Sequence, residues 1–162
     1  MRSVFPPTAS GSPPALPQGC TCARLRRLTR RITAVYDREL AAAGLRVTQY
    51  SLLSVLKRAA GAGGMPVTEL AASMDMDRTT LTRNLKPLID QGYASLAPDA
   101  QDRRVRRALL TPQGSKVLEA ARPHWLRAQQ DVNRTLGEAT VADLHHWLDA
   151  VTPAFRPEGD AA

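Results

Sequence analysis

The sequence predicts a mainly α (α+β) fold in which long helices at both ends flank a winged helix-turn-helix domain. Three observations lead to this prediction. Apolar residues recur at three- and four-residue spacing along most of the chain, as they do on one face of a helix. Two short segments near residues 93–110 lack that spacing and have the length of strands. Basic side chains concentrate in residues 78–107, which include these segments.

The first predicted helix runs from Cys22 to Leu40 and is ended by Gly44, the usual C-terminal role of glycine. One of its faces is apolar, and the opposite face is basic over the first ten residues. The apolar stripe contains Leu25, Leu28, Ile32, Val35, Tyr36 and Leu40. The basic face contains Arg24, Arg26, Arg27, Arg30 and Arg31.

A second helix is predicted to begin with Thr48 as its N-cap and to be buried on most sides. Its apolar set is Tyr50, Leu52, Leu53, Val55 and Leu56. The glycines that follow, Gly61, Gly63 and Gly64, predict a loop. This loop differs from a phosphate-binding loop, because it follows a helix and lacks the Lys-Ser/Thr ending.

The next two helices form the predicted helix-turn-helix. The first extends from about Thr68 to Met74, and the second from its N-cap Asp77 to Gln91, where Gly92 stops it. The apolar stripe of the second contains Leu81, Leu85, Leu88 and Ile89. Pro87 removes a backbone hydrogen bond within this helix, so we expect a bend in its second half.

Two strands and two more helices complete the predicted order α, α, α, α, β, β, α, α. The strands are Tyr93–Ala97 and Val105–Leu110, joined by the loop Pro98–Arg104. Thr111-Pro112 predicts a helix start, with a kink expected further along at Pro123. A capping box at Thr140–Asp143 predicts the start of the last helix, which ends before Pro153.

Length and composition limit the possible functions. The 162 residues, 43% of them hydrophobic, suffice for one good core and do not accommodate two catalytic domains. The net charge of +7 favours acidic partners such as nucleic acid. Residues 78–107 carry seven basic and three acidic side chains, whereas 112–162 carry five and seven, so the excess is local to the helix-turn-helix and wing.

We interpret the chain as a cytoplasmic protein without membrane attachment. No run of about 18 apolar residues is present. The proline-rich residues 1–19 lack the apolar core of a signal peptide and are predicted to form a disordered arm, and 156–162 a flexible tail. Two cysteines, Cys20 and Cys22, are too few and too close for a secreted disulfide framework.

The predicted recognition helix and wing carry side chains suited to double-stranded DNA. Arginine can pair with guanine edges in the major groove, and threonine can donate, accept or contact a thymine methyl group. An extended arginine on the wing suits a narrow minor groove, and Asp102 is predicted to hold one arginine extended. Arg106 and Arg107 are expected to serve phosphates or the strand face. The predicted DNA-binding residues are Thr68, Arg78, Thr79, Thr82, Arg83, Lys86, Arg103, Arg104 and Arg106.

Three other interpretations are weaker. Charged runs are usually solvated surface, but here charge, helix punctuation and hairpin coincide. A protein-interaction module would be expected to have an acidic or apolar recognition face, whereas the recognition face of this chain is basic. An enzyme is not indicated, since no catalytic motif is present, and no cofactor or metal is predicted. The adjacent His145 and His146 point to different faces of a helix and cannot share a metal ion.

Several motifs in the chain resemble those of the MarR family of bacterial transcription regulators. They are Gly44-Leu45, Thr48-Gln49-Tyr50, Glu69-Leu70-Ala71, Arg78-Thr79-Thr80-Leu81-Thr82-Arg83, Asp102-Arg103-Arg104 and Leu110-Thr111-Pro112-Gln113-Gly114. The resemblance spans about residues 22–153. Leu96 stands where many relatives have an arginine entering the wing, so the phosphate contact of that arginine is not expected in this chain.

This resemblance implies a homodimer that binds a pseudo-palindromic operator, acts as a repressor and is released by a small aromatic or phenolic carboxylate effector. It divides the chain into a helical dimerisation region at 20–44 and 112–155 and a DNA-binding domain at 45–111. The apolar stripes of the terminal helices exceed what one small core can bury, which independently favours a partner chain. Residues that could line the effector pocket are Arg26, Tyr36, Tyr50, His124 and Trp125. For each aromatic residue alone, packing in the core is the competing interpretation.

The peroxide-sensing OhrR branch of this family suggests an alternative switch. There a reactive cysteine opens the first helix and is held by a tyrosine fourteen residues on, a spacing that Cys22 and Tyr36 share. Two other tyrosines of that branch are replaced here by Arg26 and Val47. Nearby arginines can lower a thiol pKa. The simpler interpretation, a structural cysteine that behaves as a small hydrophobe, remains open and is the one we favour.

Overall fold

The computed structural model describes residues 19–155, which form two compact units. One unit comprises residues 33–128, and the other comprises residues 19–32 together with 129–155. The arm predicted at 1–19, apart from Gly19, and the tail predicted at 156–162 lie outside the described residues.

Six α-helices, three short 3-10 helices and three short strands make up the regular structure of the described residues, so the mainly α (α+β) fold class is confirmed. The helices are α1 (Thr21–Leu40), α2 (Val47–Ala59), α3 (Val67–Ser73), α4 (Arg78–Asp90), α5 (Pro112–Leu136) and α6 (Glu138–Val151). The strands are β1 (Met65–Pro66), β2 (Ala94–Pro98) and β3 (Arg106–Leu110). Among residues 19–155 no helix is long and apolar enough to cross a membrane.

The strands form one antiparallel sheet in the order β1-β3-β2. The β2 and β3 hairpin is the predicted wing, displaced by one residue at three of the four predicted strand ends. Strand β1 was not predicted, because two residues, one of them a proline, show no strand pattern. Met65 of β1 lies opposite Ala108 of β3, so β3 is the central strand.

A leucine core holds α2, α3 and α4 together in the unit formed by residues 33–128. Its fully buried leucines are Leu40, Leu52, Leu53, Leu56, Leu70, Leu81 and Leu88. No polar or charged side chain is buried among the described residues. The helix-turn-helix is therefore positioned by non-directional apolar burial, and its polar groups remain at the surface.

The predicted N-cap of α2, Thr48, is wrong. The helix begins at Val47, and Arg46 is its N-cap residue. The Val47 amide donates to Oδ1 of Asp37 at 2.7 Å, and the Arg46 amide donates to Oε1 of Gln49 at 2.9 Å. A carboxylate from α1 thus satisfies an N-terminal amide that local sequence leaves open.

The predicted start of the last helix, the Thr140–Asp143 capping box, is also wrong. Helix α6 begins at Glu138, directly after Gly137, which has φ +86 and donates its amide to the Asn133 carbonyl at 2.8 Å. Glycine adopts this left-handed conformation without a Cβ penalty, so α5 ends and α6 begins within one residue. Helices α4 and α5 continue through Pro87 and Pro123, and the bends expected there stay predictions.

The start of α5 packs closely on the end of the wing. Thr111 accepts the Gly114 amide on Oγ1 at 2.9 Å and donates its hydroxyl to the Gly92 carbonyl at 2.7 Å, which confirms Thr111 as the cap. A Cβ on Gly114 would overlap the Tyr93 carbonyl oxygen and lie 2.8 Å from Cδ1 of Leu110. Only glycine allows this approach of α5 to the wing.

Replacing Gly114 by alanine should therefore destabilise the fold by about 1–3 kcal/mol, the usual cost of overpacking. The matched control is Gly61→Ala, where no atom lies within 4 Å of the added Cβ and φ is not positive. That control should change the free energy of unfolding by less than about 0.5 kcal/mol. Urea unfolding of both variants measures the difference, and equal midpoints would contradict the packing argument.

Candidate nucleic-acid interface

Helix α4 has a well-defined N-terminus that fixes the direction of its first turn. As predicted, Asp77 is its N-cap residue. Its carboxylate accepts the Thr80 amide at 2.9 Å and the Thr80 hydroxyl at 2.6 Å. Hydrogen bonds from the Thr80 side chain and backbone hold the pKa of Asp77 below its ordinary value. The cap is therefore ionised at neutral pH, next to the positive end of the helix dipole.

One face of α4 is buried and the opposite face is exposed to solvent. Leu81, Leu85 and Leu88 face the core. The predicted base-reading residues all lie on the exposed face; they are Arg78, Thr79, Thr82, Arg83 and Lys86. The helix before it presents Thr68, also exposed, in its first turn.

Two of these α4 side chains already have partners in the protein. The Thr82 hydroxyl donates to the Arg78 carbonyl at 2.8 Å, so in this conformation it can only accept from a base or a water molecule. Nζ of Lys86 donates to both carboxylate oxygens of Asp90, at 3.0 and 2.8 Å. Lys86 would have to weaken this exposed ion pair to contact DNA, at small cost because such surface pairs contribute little.

The wing tip, residues 99–105, is shaped by two aspartates that accept backbone amides. Oδ1 of Asp99 accepts the amides of Gln101 and Asp102, at 2.8 and 3.1 Å. Oδ1 of Asp102 accepts the Arg104 amide at 2.9 Å. The wing-orienting role predicted for Asp102 therefore needs correction: the contact goes to the backbone of Arg104, and within residues 19–155 no arginine guanidinium contacts this carboxylate.

Of the wing arginines, Arg103, Arg104 and Arg106 are exposed, as a DNA contact requires. Arg106 makes one long hydrogen bond, 3.5 Å to the Leu96 carbonyl. Arg107 is different and corrects the phosphate or strand-face role predicted for it. Its guanidinium is directed to Asp99 and to carbonyls of the loop before β1, and its side chain is only 22% exposed.

Sequence reasoning missed the role of Asp99. In an Asx turn, an aspartate side chain accepts the backbone amides two or three residues further along. Asp99 stands at such a position before Gln101 and Asp102, so the sequence did contain a signal for this turn. Backbone hydrogen bonds from Gln101 and Asp102, followed by Arg107, hold the pKa of Asp99 below its ordinary value. Asp99 is thus ionised at neutral pH and organises the wing tip from its base.

Three of the five residues predicted for an effector pocket come together. The rings of Tyr50 and Trp125 stack at 5.8 Å and 9°, and Tyr36 lies 6.4 Å from Trp125 at 37°. All three are partly buried against the leucine core. Burial raises the pKa of both tyrosines, so their hydroxyls stay protonated at neutral pH. The cluster can offer an aromatic surface and neutral hydroxyl donors.

The remaining two predicted pocket residues have other surroundings. Nδ1 of His124 lies 2.6 Å from Nη2 of Arg127, on the same helix. Arg26 belongs to the other compact unit, where it lines a groove of about 830 Å³ with Cys22, Leu25, Thr29, Arg30 and Phe155. The structure therefore places Tyr36, Tyr50 and Trp125 in one cluster and Arg26 in a separate groove.

The redox candidate Cys22 is exposed, as is Cys20, and neither forms a disulfide. Cys22 and Tyr36 lie on the same continuous helix α1. Fourteen residues of helix correspond to roughly 21 Å along the axis, so these two side chains cannot touch within one chain. Across residues 19–155, no three His, Cys, Asp or Glu side chains are grouped as a metal site.

Comparison with known proteins gives three kinds of match. The family model described as MarR family matches residues 43–105. Transcriptional activatory protein BadR from Rhodopseudomonas palustris is 30% identical over 125 residues, which cover 77% of this chain and 70% of BadR. The M. tuberculosis transcriptional regulator MosR, in complex with DNA, is 32% identical with a TM-score of 0.70, covering 85% of this chain and all of that one.

Two structures of CouR share the fold at lower identity. The repressor CouR bound to a 23-mer DNA duplex has a TM-score of 0.73 at 22% identity, covering 82% of this chain and 92% of CouR. CouR from Rhodococcus jostii RHA1 bound to p-coumaroyl-CoA has a TM-score of 0.67 at 22% identity, with coverage of 79% and 88%.

Proposed function

The chain belongs to the MarR family of DNA-binding transcriptional regulators, and we propose that it acts as a homodimeric repressor whose two recognition helices read a pseudo-palindromic operator. The observation that carries this proposal is the exposed face of α4. Arginines, threonines and a lysine line the face that the leucine core leaves open, and the wing of the same compact unit carries exposed arginines. Such a protein would work where the DNA is, in the cytoplasm.

The unit formed by 19–32 and 129–155 supports the homodimer. Of its described residues only Val141 is buried. Leu25 and Leu28 of α1 are 44% and 42% exposed, and Trp147 and Leu148 of α6 are 38% and 37% exposed. Apolar side chains that one chain leaves in water are typical of an interface between copies. We therefore assign 20–44 and 112–155 to dimerisation and 45–111 to DNA binding.

Placing a charge on this apolar surface should split the dimer. We expect Leu28→Glu to shift the molecule to a monomer in sedimentation velocity, because a carboxylate would be buried without a partner. Ala34→Glu adds the same group at an exposed position of the same helix, outside the apolar stripe, and should leave the dimer intact. A wild-type monomer at micromolar concentration, or a dimer that survives Leu28→Glu, would contradict the assignment.

Arg104 provides a direct test of the wing contact with DNA. Arg104→Ala should weaken binding to the wild type's preferred duplex and lower the slope of log affinity against log salt by about one, as expected when one phosphate-neutralising charge is lost. Arg134→Ala removes the same charge from an exposed site at the end of α5 and serves as the matched control. An unchanged affinity and slope for Arg104→Ala would rule out the wing contact.

The sign of regulation and the effector are proposed on narrower grounds. CouR is named a repressor and BadR an activatory protein, so both signs occur among the relatives reported above. We propose repression, which is the sign of regulation that the resemblance to the family implies.

For the effector we propose a small aromatic or phenolic carboxylate at the cluster of Tyr36, Tyr50 and Trp125, since stacked rings and protonated hydroxyls suit such a molecule. The p-coumaroyl-CoA bound to CouR is a partial parallel, since it has a phenolic ring but a thioester in place of the carboxylate.

A thiol switch through Cys22 is the second candidate, favoured by the exposure of this thiol in a groove that also contains two arginines, Arg26 and Arg30. Because Tyr36 of the same chain is out of reach, Tyr36 could hold this thiol only from the partner copy.

Organic hydroperoxide distinguishes the two switches. If Cys22 is the sensor, treatment should release wild-type protein and the Cys20→Ser variant from DNA in a gel-shift assay, whereas Cys22→Ser should stay bound. If hydroperoxide leaves the wild-type shift unaltered, redox sensing is discarded and the small-molecule effector remains.

A further inference from the structure

The central strand of the wing carries an arginine that points back into the protein. In the sheet register Arg107 of β3 lies opposite Ala97 of β2 and Pro66 of β1. Arg103, Arg104 and Arg106 are exposed, but the side chain of Arg107 is only 22% exposed and that of its partner Asp99 only 18%. This arginine is therefore occupied by the protein itself and is not directed at a phosphate.

Three consecutive carbonyls receive hydrogen bonds from Arg107. Nε donates to Gly63 at 3.1 Å, and Nη2 donates to Ala62 at 3.2 Å and to Gly64 at 2.7 Å. We call residues 62–64 the glycine turn. Gly63 and Gly64 have φ of +71 and +81, a region that other residues rarely adopt. The left-handed backbone turns the three carbonyls toward one guanidinium, whose planar donors match several acceptors at once.

The other side of the guanidinium holds the wing tip. Nη1 of Arg107 donates to Oδ2 of Asp99 at 2.8 Å, while Oδ1 of Asp99 accepts the amides of Gln101 and Asp102. Asp102 in turn accepts the amide of Arg104. A continuous chain of hydrogen bonds thus leads from the glycine turn through Arg107, Asp99 and Asp102 to Arg104.

We propose that Arg107 is a positioning residue for DNA recognition: it clamps Asp99 to the glycine turn and thereby sets where the wing-tip Arg104 meets DNA. The DNA contact of Arg104 rests on the proposed function, whereas the clamp does not. Strand β1 pairs with β3 only at Arg107 and Ala108, so the hairpin beyond Arg107 has two strands and depends on an attachment such as this clamp to hold its tip in one position. Neither Arg107 nor Asp99 belongs to the leucine core. A cavity of about 370 Å³, lined in part by Ala62, Pro98 and Gln101, lies beside the pair. Substitutions there should leave the protein folded.

The sign of the effect of Asp99→Asn separates positioning from simple electrostatics. Asparagine keeps one oxygen for the two amides but presents an NH2 group to Arg107. Removing a negative charge near DNA should tighten binding on electrostatic grounds, whereas loss of the clamp should weaken it. Asp75→Asn is the matched control, because Asp75 is exposed in the turn before α4 and its φ of +48 suits asparagine.

Affinities are measured by fluorescence anisotropy on a duplex that the wild-type protein enriches from a random pool. We expect Asp99→Asn and Arg107→Gln each to bind roughly tenfold more weakly, the scale of one lost arginine contact. Asp75→Asn should bind as tightly as the wild type or more tightly. In an Arg104→Ala background the effect of Arg107→Gln should fall below about twofold, because it acts through Arg104. Tighter binding by Asp99→Asn, or full additivity with Arg104→Ala, would overturn the proposal.

Amide hydrogen exchange without DNA tests the clamp independently. Arg107→Gln should accelerate exchange at Gln101, Asp102 and Arg104, while exchange at the buried Leu52 stays as in the wild type. Arg106→Gln, which loses only the long bond to Leu96, should not accelerate it. Unchanged wing-tip exchange in Arg107→Gln would reject the clamp. A wild-type protein that enriches no duplex would instead reject the proposed function, and hydrogen exchange would still decide the clamp.

Discussion

Burial of leucines between α2, α3 and α4 is the constraint on which the rest of the structure depends. Leu81, Leu85 and Leu88 commit one face of α4 to the core, and the helical period then decides which side chains remain outside. Since no polar side chain is buried among the described residues, the core itself contributes no polar group to binding. Its contribution to function is to hold a helix of arginines and threonines with a defined face toward solvent.

Carboxylates provide the directional contacts that apolar burial lacks. Asp77 fixes the first turn of α4, Asp37 the first amide of α2, and Asp99 with Asp102 the wing tip. Each of these carboxylates accepts at least one hydrogen bond from a backbone amide. These acidic residues therefore fix the local backbone conformation, although the net charge of the protein is positive. Asp77 and Asp99 keep their charge to lower pH than an ordinary aspartate, so these contacts persist in acidic solution in which an ordinary aspartate would already take up a proton.

The two compact units differ in how they satisfy their apolar residues. The unit at 33–128 encloses a continuous leucine core, whereas in the unit at 19–32 and 129–155 only Val141 of the described residues is buried. Helix α1 shows both situations, since Leu40 is fully buried and Leu25 and Leu28 are exposed to solvent by 44% and 42%. This apolar stripe, which continues beyond the leucine core, is the observation that supports the proposed homodimer.

The sequence alone determined the number and order of the α-helices, the wing hairpin, the Asp77 and Thr111 caps and the exposed face of α4. These features depend on periodicity or on residues within three or four positions of each other, and such signals are visible in any stretch of sequence. Only the tertiary structure decided the role of Arg107, whose carbonyl partner Gly63 is 44 residues away, and the cap of α2 by Asp37, ten residues distant. The same is true of β1, which is a strand only because β3 lies beside it. Each of these contacts joins groups that are close together only in the folded protein, so no local sequence pattern could predict them.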